Sequence, residues 1–142
     1  MSVRLGVEEM RYIALFESLT GANVRDCLMS DGKNKLTFVV ESGCIGRAIG
    51  RRGNNIRRVR RIIGKSVEVV EYSDDPVKFI KNLLAPAKVR DIKVVEKMGK
   101  KVAYVSIDEL NKGLAVGRGG GKIKRARMLA ARHHGISELS LV

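Results

Sequence analysis

The chain repeats itself at an offset of 67 residues. Ala48-Ile49-Gly50-Arg51-Arg52-Gly53-Asn54-Asn55-Ile56 returns as Ala115-Val116-Gly117-Arg118-Gly119-Gly120-Gly121-Lys122-Ile123. The correspondence reaches upstream, where Leu36–Glu41 falls opposite Ala103–Asp108. Further back, Val24-Arg25-Asp26 is similar to Val89-Arg90-Asp91 at a slightly shorter offset. In 142 residues such a repeat leaves room for two copies of one small fold and excludes a single large core.

Both copies show the same order of elements. Met10, Ile13, Phe16 and Leu19 recur at helical spacing over 7–20, and Gly21 suits the stop. Strands are expected at 23–30 and 35–41 around the turn Asp31-Gly32-Lys33-Asn34. A short helix at 43–49, the glycine loop, a helix at 53–63 and an alternating strand at 66–72 complete the first copy. Asp75 is placed to cap the next helix, with Pro76 at its first position. That helix buries Val77, Ile80, Leu83 and Leu84 and ends by Pro86. Strands at 88–97 and 101–107, helices at 108–116 and 120–133 around the second loop, and a strand near 136–141 follow. The expected domains are 1–73 and 74–142, each α+β, with a three-stranded sheet covered by helices.

Each loop reads Gly-x-x-Gly, with an aliphatic residue just before it and an isoleucine three residues after. Glycine permits positive φ and carries no side chain, so a phosphodiester backbone can lie close to such a loop. The helix that follows points free N–H groups and the positive end of its dipole at the same place. Arg51 and Arg52 supply cations in the first loop and Arg118 in the second, where Gly119 leaves less charge. Ile49 with Ile56, and Val116 with Ile123, are expected to anchor the loops in the core. Rival glycine motifs fail. A nucleotide-binding P-loop needs Gly and Ser/Thr where Val116 and Ile123 stand, and a dinucleotide fingerprint from Gly117 needs Gly where Lys122 stands.

Charge points to the same loops. The net charge is +13, and an excess of Lys and Arg this large favours a polyanionic partner through counterion release. From Ser42 to Val67 there are eight basic residues and no acid, and from Leu110 to Ser137 seven and none. On the helix after each loop the cations segregate, Arg57, Arg58, Arg60 and Arg61 in one copy and Lys124, Arg125 and Arg127 in the other. The candidate contacts are Gly50, Arg51, Arg52 and Gly53 with Arg47, Arg57 and Arg60. Their second-copy counterparts are Gly117, Arg118, Gly119 and Gly120 with Lys122, Lys124 and Arg127.

Other classes fare worse. Aromatic residues are 4% with no Trp, which disfavours folds that stack bases on exposed rings and suits an aliphatic base-holding groove. Cys27, Cys44, His133 and His134 lack the spacing of a metal site and read as core thiols and a helix-end pair. No nucleophile–base set or carboxylate pair points to an enzyme, and no cofactor is expected. The first residues lack the apolar core of a signal peptide and no run is long enough to cross a bilayer, so a cytoplasmic, non-membrane protein is expected.

Together these features resemble tandem K-homology (KH) domains of type II. The paired loops, Ala48–Ile56 and Val116–Gly120, look like those of the NusA transcription-factor family in its shorter, archaeal-type form. Longer bacterial members add a polymerase-docking N-terminal domain and an OB-fold domain, which this sequence does not show. The resemblance implies single-stranded RNA, a nascent transcript, as ligand, and control of transcription elongation, termination or antitermination. A monomer is expected, with RNA polymerase as a further candidate partner. The alternative is a ribosome-assembly or ribosome-associated KH protein bound to ribosomal RNA. A scaffold that no longer binds nucleic acid fits the acid-free loop regions poorly.

Overall fold

The computed structural model describes residues 5–142, which divide into two compact units on either side of the Ser73–Asp74 peptide. The first unit runs α1 (Val7–Thr20), β1 (Val24–Ser30), β2 (Lys35–Val40), α2 (Ile45–Ile49), α3 (Asn54–Ile63) and β3 (Ser66–Glu71). The second runs α4 (Pro76–Leu84), β4 (Asp91–Lys97), β5 (Lys100–Ser106), α5 (Glu109–Val116), α6 (Gly121–His134) and β6 (Ile136–Leu141). In each unit the middle strand pairs antiparallel with the strand before it and parallel with the strand after the loop helices, giving the orders β1-β2-β3 and β4-β5-β6. The parallel pair needs a crossover, and the two helices flanking the glycine loop supply it. This is the α+β, three-stranded architecture expected of tandem type II KH domains.

In the first unit α1, α2 and α3 cover the helix-side face of the sheet. Phe16 of α1 stacks on Phe38 of β2 with ring centroids 4.3 Å apart, and both are fully buried. Cys27, Leu36, Val40, Ala48, Ile56, Val59 and Val67 complete that core. Hydrophobic side chains buried this fully contribute about 1.5–3 kcal/mol each. The stripe on α1 differs from the one expected at its first turn. Met10 is 57% exposed, and Tyr12, Ile13, Phe16 and Leu19 make the contact instead. The buried residues of α1, Phe16 and Thr20, both lie in its C-terminal half.

In the second unit α4 and α6 pack together, and Phe79, Ile80, Leu83, Leu84, Ile123, Ala126, Leu129 and Ala130 are buried. Asp75 caps α4, its carboxylate accepting from the Val77 N–H at 3.0 Å, and Pro76 occupies the first helical position. The strand expected from residue 88 begins at Asp91. The Lys88 N–H is taken by the Asn111 side chain at 3.0 Å, so the chain enters the sheet only after that bond. His133 and His134 pack against Phe79, with centroids 5.7 and 5.4 Å away. Cys27 and Cys44 are buried and not joined in a disulfide. Among the described residues, no helix is long and apolar enough to cross a membrane, and no group of three His, Cys, Asp or Glu could hold a metal ion.

Candidate nucleic-acid interface

The two loops have one backbone. Gly50 sits at φ 77, ψ 172 and Gly117 at φ 76, ψ 176, a region that essentially only glycine enters. Two residues on, Arg52 adopts φ 54, ψ 27 and Gly119 φ 60, ψ 21. Gly53 and Gly120 then close each turn in the left-handed region. The Gly53 N–H donates to the Gly50 carbonyl at 3.1 Å, and the Gly120 N–H to the Gly117 carbonyl at 3.2 Å. A side chain on Gly50 would meet the Asn55 side chain at 2.7 Å, and one on Gly117 would meet the Cβ of Lys122 at 2.6 Å. Glycine is therefore required at both positions by backbone and by packing.

Each loop delivers the chain to the start of a long helix, α3 or α6, that has no side-chain cap and no acid in its first turn. The first N–H groups of these helices have no intrahelical partner, and their dipoles favour an anion. Arg51, Arg52, Arg118 and Gly119 are exposed at the turn, while Gly50, Gly53, Gly117 and Gly120 are half-buried beneath it. Arg47 is exposed on α2. The Arg57 guanidinium lies over Gly53, with Nη1 3.1 Å from where a Cβ would stand, and Nη2 donates to Asn54 Oδ1 at 2.6 Å. Lys122 is half-buried and Lys124 exposed on the first turns of α6.

Several of the segregated cations, though exposed, are tied to backbone carbonyls. Arg60 donates Nε and Nη2 to the Val67 carbonyl at 3.3 and 3.0 Å, and Arg127 donates Nε to the Leu139 carbonyl at 3.1 Å. Val67 and Leu139 hold the same place in their sheets, so the same tie from loop helix to last strand is made twice. Arg58 donates to the Leu19 carbonyl at 2.6 Å, at the end of α1. Arg127 also borders a groove of about 350 Å³ along β6, lined by Ile136, Ser137, Glu138, Leu139 and Ser140. The expected loop anchors divide. Ile56 and Ile123 are buried, whereas Ile49 and Val116 are half-buried and Ala48 and Ala115 take the core positions beside them.

Two residues near the loops were not among the candidates. Arg125 brings Nη1 to 2.9 Å from where a Cβ on Gly121 would stand, as Arg57 does one residue earlier in the first copy. A basic residue four positions after a loop glycine is the signal for both. Asn55 is the other. Its Nδ2 donates to the Arg47 carbonyl at 2.7 Å, joining α3 to α2 across the loop.

Comparison with known proteins agrees with this geometry. The KH-domain family matches residues 10–97, and the NusA-like second KH domain matches residues 76–140. The probable transcription termination protein NusA of Methanococcus vannielii is 37% identical over 142 residues, all of this chain and 81% of the relative. The protein of the same name from Halococcus morrhuae is 38% identical over 141 residues, 99% of both chains. This chain belongs to the NusA family. A crystal structure, that of APE1850, superposes with a TM-score of 0.82 at 39% identity, covering 97% of this chain and all of the other. The NusA-like match at 76–140 spans the second loop, and the KH-domain match at 10–97 spans the first.

Proposed function

We propose that this protein binds single-stranded RNA through its two glycine loops and acts on the nascent transcript as a NusA-type termination or antitermination factor. The observation that carries the reading is the pair of superimposable loop backbones, each opening onto an uncapped helix N-terminus without an acid in its first turn. Phosphates meet Gly50, Arg51, Arg52 and Gly53 in the first copy and Gly117, Arg118, Gly119 and Gly120 in the second. Arg47, Arg57, Lys122 and Lys124 stand beside them. Arg60 and Arg127 stand exposed on the helices that follow the loops, where their bonds to the Val67 and Leu139 carbonyls fix them.

The protein works by binding rather than catalysis, as a monomer in the cytoplasm, with RNA polymerase as the partner machine. The ribosomal alternative is not favoured, because whole-chain relatives carry the NusA name. Each loop of this kind clamps about four nucleotides, so engaging both requires roughly eight unpaired ones. Filter binding of an unstructured RNA to the Arg51→Asp, Arg52→Asp double variant tests the site. A sharp loss of affinity with the fold intact is expected, and unchanged affinity overturns it.

A further inference from the structure

We propose that Asn55 is a positioning residue that pre-sets the first loop for its ligand. This rests on the reading that the loop binds RNA. A Gly-x-x-Gly turn joins two helices through residues with high conformational freedom, so its shape must be held from outside the turn. Asn55 does this from the first turn of α3. Its carboxamide donates to the Arg47 carbonyl at 2.7 Å, one of the last carbonyls of α2, which helix geometry leaves open. The same side chain lies in the space a Cβ on Gly50 would fill, with its Cγ 2.7 Å and its backbone N 2.9 Å from that point.

One side chain thus bridges the helix before the turn and the helix after it, and packs under the glycine where the turn begins. The second copy has Lys122 at this position, whose Cβ fills the corresponding space at 2.6 Å. Lysine carries no carboxamide at that distance from its backbone, and three glycines, Gly119, Gly120 and Gly121, follow one another there. Of the two loops, the first is therefore the rigid one. A rigid loop loses less conformational freedom when it closes on a strand, and the gain appears as affinity.

The test compares Asn55→Ala, and the isosteric Asn55→Asp that keeps the shape but cannot donate, with the Arg51→Asp, Arg52→Asp protein. RNA affinity is read across a salt series, and amide exchange of Gly53 without RNA. A neutral hydrogen bond of this kind is worth about a factor of five, so Asn55→Ala is expected to weaken binding about fivefold at every salt concentration. The slope of log K against log salt stays the same, because no phosphate contact is lost. Exchange of the Gly53 amide, which bonds to the Gly50 carbonyl, becomes faster by a similar factor in both Asn55 variants. Should the alanine variant fail to fold, the aspartate variant carries the exchange test. Unchanged Gly53 exchange, or unchanged affinity where the arginine variant loses it, overturns the role of Asn55. Unchanged slope and affinity in the arginine variant itself overturns the binding site instead.

Discussion

Arg52 stands at φ 54 in a loop whose second copy places Gly119 in the same conformation, so Arg52→Gly separates what the residue costs from what it contributes. A non-glycine residue in the left-handed region costs about 1–2 kcal/mol. Glycine gives back about 0.5–1 kcal/mol of that through the freedom it gains in the unfolded chain. The variant is therefore expected to be more stable by about 0.5–1 kcal/mol, a rise in Tm of about 2–8 °C for a unit of this size. Binding moves the other way. One phosphate contact to a single strand contributes about 0.7 to the salt slope, so losing it weakens affinity about fivefold at 0.1 M salt and hardly at all near 1 M. Thermal unfolding followed by circular dichroism and a salt series of RNA titrations read the two effects separately. A lower Tm refutes the strain argument. An unchanged slope refutes the phosphate contact.

Further outcomes follow from the same contacts. Gly50→Ala is expected to cost about 3 kcal/mol or more by denaturant unfolding, since its Cβ would press on Asn55 at 2.7 Å in a glycine-only conformation. Gly120→Ala, with nothing within 4 Å of the new Cβ, should cost only about 1–2 kcal/mol. Arg60→Ala and Arg127→Ala should each lower the stability of their own unit by about 1 kcal/mol, because each removes the tie to the strand carbonyl. Phe16→Ala empties one half of a fully buried ring stack and should cost about 3–5 kcal/mol in a urea melt. The side chain and N–H of Asn111 bond to the Asp108 carboxylate and hold its pKa below the ordinary value. A depressed carboxyl stabilises above its unfolded pKa and loses that contribution as pH falls through the folded one. Asp108→Ala should therefore flatten the acid limb of the pH–stability curve between those two values.

Periodicity and punctuation made most of the fold legible in the sequence. Helices that bury one stripe, strands that alternate, and the Asp75-Pro76 start signal are local patterns, and the repeat showed each of the loop-flanking elements twice. Local pattern says nothing about reach. Met10 keeps the α1 spacing yet is left exposed. Residues 88–90 suit a strand but lose an N–H to the side chain of Asn111. The loops were visible because glycine spacing and missing acids are properties of the chain itself. Which cations are tied to backbone carbonyls was not visible. Arg58 and Arg60 look alike in sequence to Arg57, and only the folded chain brings the Leu19 and Val67 carbonyls to them. Asn55 was hidden for the same reason, since its partner lies eight residues back across the loop.

The loops themselves can be watched directly. In an NMR titration of the ¹⁵N-labelled protein with an unstructured RNA of about ten nucleotides, the amides of Gly50–Gly53 and Gly117–Gly120 should shift first and furthest. The opening amides of α3 and α6 should move with them. If the RNA binds while those amides stay in place and another surface moves, the two loops are not where the strand is held.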